Sequence, residues 1–326
     1  MRISVAMCTF NGALHLYSQL SSIAQQSRLP DEIVICDDGS SDETLEILDS
    51  FSRNSGLYTR IFVSKTTLGT RENFSKAISL CSGDVIALSD QDDVWNPMKL
   101  ATLEQHFSDD PSLGALFSNA ELINQHSESL GRTLWDAVEF DSAERMAIRS
   151  GKGLERLIQG NFVTGATLAF RASWKTLLLP IPSGWIHDHW IATLLSAVSK
   201  IDFDTNRLIK YRVHPSQQIG VQIHKTGKAG YHFLIRIFRR LRNSHHTQYL
   251  QASRRGNDVA TRLKILAAFD CSDAIVRCQY ISAHHELRGR LPRSKLKRIF
   301  FVAREALSGN YFLYSKGIKS ILRDLI

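Results

Sequence analysis

Cysteine is scarce in this 326-residue chain and nowhere closely paired: Cys8, Cys36, Cys81, Cys271 and Cys278 are odd in number and form no Cys-x-x-Cys. That pattern argues against a disulfide framework and against a zinc knuckle, and it fits a reducing, cytoplasmic setting. Only 7 prolines and 19 glycines occur, which excludes collagen-like and low-complexity repeats. No uncharged apolar run reaches the length of about 18 residues that a membrane-spanning helix needs. The opening stretch Met1–Met7 is too short for a signal peptide, so none is expected. No internal repeat is visible either.

The chain is 43% hydrophobic and 22% charged, an ordinary globular balance. Its length is about twice a ~150-residue domain, so one large α/β domain with an annex is expected. The net charge of +8 divides unevenly. From Lys225 onward there are 21 Lys and Arg against 6 Asp and Glu, whereas the first 224 residues carry 19 against 26. A slightly acidic body therefore precedes a strongly basic region, which suggests a polyanionic neighbour such as an acidic membrane surface or nucleic acid. The expected domains are 1–224 and 225–326.

Ile3–Met7 and Ile33–Cys36 are continuous apolar runs, as strands buried on both faces require, and residues 13–25 between them have helical spacing. Two such strands joined by a helix make a right-handed βαβ unit. Ser40-x-x-Glu43 has capping-box spacing before a second helix. A third strand is expected at Tyr58–Val63, a helix at Arg71–Leu80 and a fourth strand at Val85–Leu88. Further on, Leu113–Phe117 reads as a strand, Gly160–Phe170 as a strand or turn, and His187–Ser199 as a helix. This is a doubly wound α/β pattern, whose ligands bind beyond the carboxyl ends of the strands.

Unusual residues stand at those ends. Asp90-Gln91-Asp92-Asp93 follows the fourth strand; its carboxylates suit Mg²⁺ or Mn²⁺ held together with a substrate phosphate, or else cap a turn ahead of Pro97. Asp37-Asp38-Gly39-Ser40 is a common turn, yet a carboxylate there can also accept hydrogen bonds from a nucleobase or ribose. Two acidic strand ends facing one crevice repel each other unless a cation or ligand compensates them, which favours the functional reading. His187-Asp188-His189-Trp190 opens a helix after a Pro-rich loop; Asp188 is either a helix cap or a base tuned by its surroundings. Tyr211-Arg212-Val213-His214 forms a fourth cluster.

Val5-x-Met7-Cys8-Thr9-Phe10-Asn11-Gly12, Asp37–Asp42, Asp90–Trp95, His187–Trp190 and Tyr211-Arg212-x-His214 occur in an order that resembles family 2 glycosyltransferases of the GT-A fold. The similarity runs over about residues 2–220 and is greatest to bacterial polysaccharide and O-antigen enzymes of rhamnosyl- or glucosyltransferase type. The resemblance implies a Rossmann-like, mostly parallel sheet and an inverting, metal-dependent transfer from a UDP- or dTDP-sugar. The acceptor it implies is a hydroxyl of a glycan, including an undecaprenyl-diphosphate-linked one. On the matching positions, Thr9 and Asn11 would line the nucleoside pocket, Asp38 would meet the base, and Arg71 with Asn73 would lie near ribose or diphosphate. Asp92, Asp90 and His214 would stand at a Mn²⁺ or Mg²⁺ ion, with Asp90 also near the ribose. Asp188 would be the general base. Asp93, Trp95, Gly160, Asn161, Thr164, Gly165, His187 and His189 would border the donor sugar and the acceptor.

The basic region mixes large apolar residues with Arg in Tyr231–Arg242 and again in Lys295–Ala306, a pattern of helices that either lie on an anionic membrane or pack on the body. A peripheral position on the inner face of a bacterial plasma membrane is the resulting expectation. Two other functions compete. Nucleic-acid binding would use the charge, but no helix-turn-helix, zinc finger or RNP-like motif supports it. A sugar nucleotidyltransferase would share the fold class, but the loop after the first strand lacks the glycine-rich phosphate cradle.

Overall fold

The computed structural model describes residues 1–214, 245–265, 271–292 and 294–325. The expected domain boundary at 224/225 and the segment Tyr231–Arg242 lie outside the described residues. The chain divides into two compact units, whose described residues are 1–151 and 161–214 in the first, and 152–160 with the C-terminal helices from 245 in the second.

In the first unit, β1 (Ile3–Thr9), α1 (Ala13–Ala24), β2 (Glu32–Asp37), α2 (Thr44–Asn54), β3 (Thr59–Val63), α3 (Thr70–Leu80) and β4 (Val85–Ser89) alternate as the apolar spacing predicts. They are followed by β5 (Val94–Trp95), α4 (Lys99–Asp109), β6 (Leu113–Ile123), β7 (Ser129–Thr133), α5 (Leu134–Ala137) and α6 (Ser142–Arg149). After α7 (Gly153–Gln159), which belongs to the second unit, come β8 (Leu168–Arg171), α8 (Lys175–Leu178), α9 (His187–Val198) and β9 (Lys200–Arg212).

The strands form one sheet in the order β3-β2-β1-β4-β8-β6-β9-β5, with β7 paired to β6. β1, β2, β3 and β4 run parallel, as do β6 and β9, while β8 is antiparallel to both β4 and β6. β4 and β6 therefore point the same way, and only β5, β7 and β8 run against the majority. Ile3, Val5, Met7, Ile33, Ile35, Val85 and Leu88 are all fully buried, so both faces of the central strands are covered, which accounts for their unbroken apolar sequences. A second patch of core, Phe117, Trp135, Phe140, Phe162 and Phe203, packs mostly edge-on beside β6 and β9.

One local expectation is corrected. The capping box at Ser40 does not form: α2 begins at Thr44, and Glu43 at its N-cap makes no side-chain cap. The Ser40 hydroxyl instead donates to Asp37 Oδ2 at 2.6 Å and accepts from the Asn11 amide at 2.9 Å, while Asp42 Oδ1 accepts the Thr44 amide. Ser40 thus ties two loops together rather than capping a helix. Tyr211 and Arg212 end the 13-residue strand β9, which pairs in parallel with β6.

The second unit is helical: α7, then α10 (His245–Ile265), α11 (Ser272–Gly289), α12 (Lys295–Leu307), α13 (Asn310–Tyr314) and α14 (Ile318–Leu325). Leu291, Val302 and Tyr311 make a small apolar core. Beside it lies a buried polar knot in which Arg288 donates to Asp324, to the Tyr249 hydroxyl and to Ser315, each at 2.6 Å.

Candidate active site

The carboxyl ends of β1, β2 and β4, the start of α9 and the end of β9 converge on one cavity of about 280 Å³. From β1 come Cys8, Thr9, Phe10 and Asn11; from β2, Asp38; from α3, Thr70, Asn73 and Phe74. The β4 turn contributes Asp90, Gln91 and Asp92, and the opposite wall is Thr164, Gly165, His187, Asp188, Tyr211 and His214. Residues up to two hundred positions apart thus meet where a doubly wound sheet places its ligands.

Backbone chemistry shapes the side built from the β1 and β2 loops. Asp37 is a structural hub: it accepts the Thr9 hydroxyl at 2.7 Å and the Gly39 and Ser40 amides at 3.0 and 2.8 Å, fixing the turn in which Gly39 takes φ +83°. Asn11 sits at φ 47°, a left-handed position that Asn tolerates, and its Oδ1 accepts the Ser41 amide. Asp38 accepts the Leu68 and Gly69 amides at 2.6 and 2.8 Å, so it fastens the loop ahead of α3 while still facing the cavity. Asn73 donates to the Cys36 carbonyl at 2.8 Å, but its buried Oδ1 has no partner among the described residues.

The acidic side is electrostatically loaded. Burial, then the charges of Asp92 and Asp188, push the Asp90 carboxyl up to about 7. Asp92 Oδ2 and His214 Nε2 lie 2.9 Å apart at the cavity wall. These two donors, in a cavity that Asp90 also lines, suit a divalent cation that completes its shell with phosphate oxygens and water, since no group of three such side chains closes a cage among the described residues. The chemistry of this donor set, carboxylate and imidazole side chains at the wall of one cavity, is the observation that makes the fit. Arg212 does not point at a ligand: its Nε donates to the Asp92 carbonyl at 2.7 Å and its Nη1 to the Asn124 carbonyl and the Ser127 hydroxyl at 3.1 and 3.0 Å.

Asp188 is the second residue of α9 and is buried. Its Oδ2 accepts the Gly165 amide at 2.9 Å, and its Oδ1 accepts Asn161 Nδ2 at 3.0 Å and the His189 amide at 2.5 Å. Burial raises its carboxyl to about 6, against the pull of those three donors. His187 is stacked on Phe74 with centroids 3.9 Å apart, and burial lowers its imidazole to about 3, so it is neutral. Both its ring nitrogens lack partners among the described residues, and it faces the cavity. A Cβ on Gly165 would stand 2.5 Å from His187 Nε2, so glycine is what lets the ring come this close.

Six residues expected in the site do not line the cavity. Arg71 turns away, donating to the Ile181 carbonyl at 2.7 Å and pairing with Glu72. Asp93 is fully buried behind the wall, where its Oδ1 accepts the Arg212 amide at 2.9 Å. Trp95 lies beneath Lys99, whose ammonium is 3.7 Å from its ring. His189 packs on Trp185. Asn161 serves the site indirectly, through its bond to Asp188. Gly160 ends α7 in the second unit. In the other direction, Phe10, Thr70, Phe74 and Gln91 line the cavity without having been singled out. Gln91 carried a signal inside the acidic turn: it accepts the Phe10 amide at 2.8 Å and donates to the Phe10 carbonyl at 3.1 Å, joining the β1 and β4 loops.

Comparison with known proteins bears on this geometry. Residues 4–147 match the model of glycosyl transferase family 2. The uncharacterized glycosyltransferase alr2836 of Nostoc sp. is 25% identical over 222 residues, 66% of this chain and 65% of that protein. The chain spans about half to two thirds of the length of the first curated relatives it matches. Among solved structures, S. aureus TarS 1-349 in complex with UDP-GlcNAc aligns over 99% of this chain and 92% of that one, with a TM-score of 0.54 at 16% identity. The mannosyltransferase PcManGT from Pyrobaculum calidifontis, in complex with GDP-Man and Mn²⁺, aligns over 99% and 85% with a TM-score of 0.51 at 16% identity. Identities this low carry the fold, which is that of the GT-A glycosyltransferases. Residues 4–147 thus form a domain similar to glycosyl transferase family 2.

Proposed function

We propose that the protein is an inverting, metal-dependent glycosyltransferase that moves a sugar from a UDP- or dTDP-sugar to a hydroxyl of a glycan or lipid-linked glycan, in bacterial surface-polysaccharide synthesis. One observation carries the reading: Asp188, a buried carboxylate with a raised proton affinity, faces the same cavity as the Asp90, Asp92 and His214 cluster. The unpartnered Asn73 Oδ1 and His187 nitrogens in that cavity support it, because buried polar groups without partners cost about 1–3 kcal/mol each unless a ligand meets them.

Asp92 and His214 would hold a Mn²⁺ or Mg²⁺ ion together with the donor's diphosphate, with Asp90 beside it. Such an ion supplies positive charge to the leaving nucleoside diphosphate. Thr9, Asn11, Asp38 and Asn73 frame the nucleoside, with the Asn73 amide oxygen ready for a base or ribose N–H or O–H. His187, neutral and open on both nitrogens, offers a hydrogen bond to a sugar hydroxyl, with Thr164 and Gly165 alongside. Asp188 takes the proton of the acceptor hydroxyl while its oxygen bonds to the anomeric carbon and the bond to the diphosphate breaks. Cys8 does not compete as a nucleophile, since burial and the nearby acids push its thiol well above the usual range. One base and one displacement invert the anomeric centre.

A panel of UDP- and dTDP-sugars assayed for hydrolysis and transfer with Mn²⁺ tests this reading. Turnover of at least one donor, abolished by excess EDTA and restored by Mn²⁺, is expected. Full turnover in EDTA would contradict the metal assignment, and no turnover of any donor with a range of glycan acceptors would contradict the reading itself.

A further inference from the structure

In α12 and α14 the usual arrangement of a surface helix is partly inverted. α14 buries Ser320 and Asp324 while Ile318, Leu322 and Leu325 are exposed. α12 turns Val302 and Glu305 inward, while Leu296, Ile299, Phe300 and Leu307 are exposed. Leu296 and Leu307 are more than four-fifths exposed, an arrangement that costs solvation in water and serves no core. Charge follows the same division. Between residues 294 and 325 the only acids are Glu305 and Asp324, and both are buried, bonded to His284 and to Arg288 respectively. Lys295, Lys297, Arg304, Lys319 and Arg323 remain exposed on the same helices, with Lys316 exposed just ahead of α14.

We propose that the outward faces of α12 and α14 form a docking surface for an anionic lipid bilayer, which seats the protein at the membrane interface. The charge pattern favours this occupant. A second copy of the chain would bring two cationic faces together, and a nucleic acid would leave Leu296, Phe300 and Ile318 without a partner. A bilayer interface takes both the apolar side chains and the cations, and each Lys or Arg at such a surface strengthens partitioning about fivefold. The reading is independent of the transfer chemistry, because it is measured without donor or acceptor.

The test is sedimentation of the full-length protein with vesicles of phosphatidylglycerol and phosphatidylcholine, and with phosphatidylcholine alone. Binding to the anionic vesicles that weakens as salt rises is expected. Lys319→Glu with Arg323→Glu should lower it by about 25-fold or more, and Leu296→Gln with Phe300→Gln by at least about tenfold. These side chains are exposed, so both variants should keep the wild-type melting temperature. Equal binding to neutral vesicles, wild-type binding by either double variant, or no binding at all would overturn the proposal. So would a concentration-dependent dimer in sedimentation velocity that Leu296→Gln with Phe300→Gln abolishes while vesicle binding is absent.

Discussion

Asp188 shows how a single side chain is set up by its neighbours. Three donors orient the carboxylate, and burial holds its proton affinity near the working range of a base, at about 6. Removing a positioned base costs on the order of 10² to 10⁴ in rate, so Asp188→Asn should lose transfer by that factor and keep its affinity for UDP or dTDP in calorimetry. The active form is the deprotonated one, so kcat/KM should rise with pH through about 6 and then level. Stability runs the other way. A carboxyl whose folded pKa is raised stabilises the fold below its unfolded pKa, and that contribution is lost as pH rises through the folded value. In metal-free protein, the stability difference between Asp188→Asn and wild type should therefore move in the variant's favour by on the order of 3 kcal/mol as pH climbs past about 6, measured by urea unfolding. His187 supplies a further test. His187→Phe keeps the stack on Phe74 but removes both open nitrogens, so it should raise the donor KM or lower kcat by about tenfold while leaving the melting temperature within a few degrees. Loss of stability without loss of activity would make it a packing residue only.

At the scale of elements, the site depends on loops held by other loops. Gln91 bridges the β1 and β4 turns, Ser40 and Asn11 bridge those of β1 and β2, and Arg212 at the end of β9 ties the Asp92 carbonyl to the turn between β6 and β7. Arg212→Met should lose several of these bonds at once, lowering stability by about 2–4 kcal/mol and weakening Mn²⁺ dependence, because the Asp92 turn would no longer be fixed. Unchanged activation by Mn²⁺ in that variant would show that the turn holds itself. None of these bridges is visible in the sequence. The central strands were legible because burial on both faces leaves an unbroken apolar run, and the acidic ends of β2 and β4 stood out against it. Which oxygen meets which amide was not, since Ser40 has helix-cap spacing but bonds across to Asn11 and Asp37. Asp93 and Trp95 illustrate the same limit: the resemblance of the Asp90–Trp95 motif implied a place at the site, whereas the turn directs one inward under Arg212 and the other beneath Lys99.

At the scale of the whole chain, two compositions coexist. The acidic body is the α/β unit, in which carboxylates gather at strand ends, and the basic remainder includes a helical unit whose helices α12 and α14 bury Glu305 and Asp324 and expose most of their cations. The βαβ alternation made the first unit readable from apolar spacing and five ordered motifs. The inclusion of α7 in the second unit was not, because nothing in Gly153–Gln159 distinguishes it locally from its neighbours. The long strand β9 was missed for a related reason: its middle, Asp204–Arg207, is polar, and its pairing with β6 shifts register there.

The central claim, a single displacement with Asp188 as base, is tested most directly by the anomeric configuration of the transferred sugar. An NMR measurement of the product formed from a donor of known anomeric configuration, by wild type and by Asp188→Asn, reads both halves of it. The account predicts inversion by the wild type and almost no product from the variant. A product that retains the donor's configuration, or near-wild-type transfer by Asp188→Asn, would contradict it.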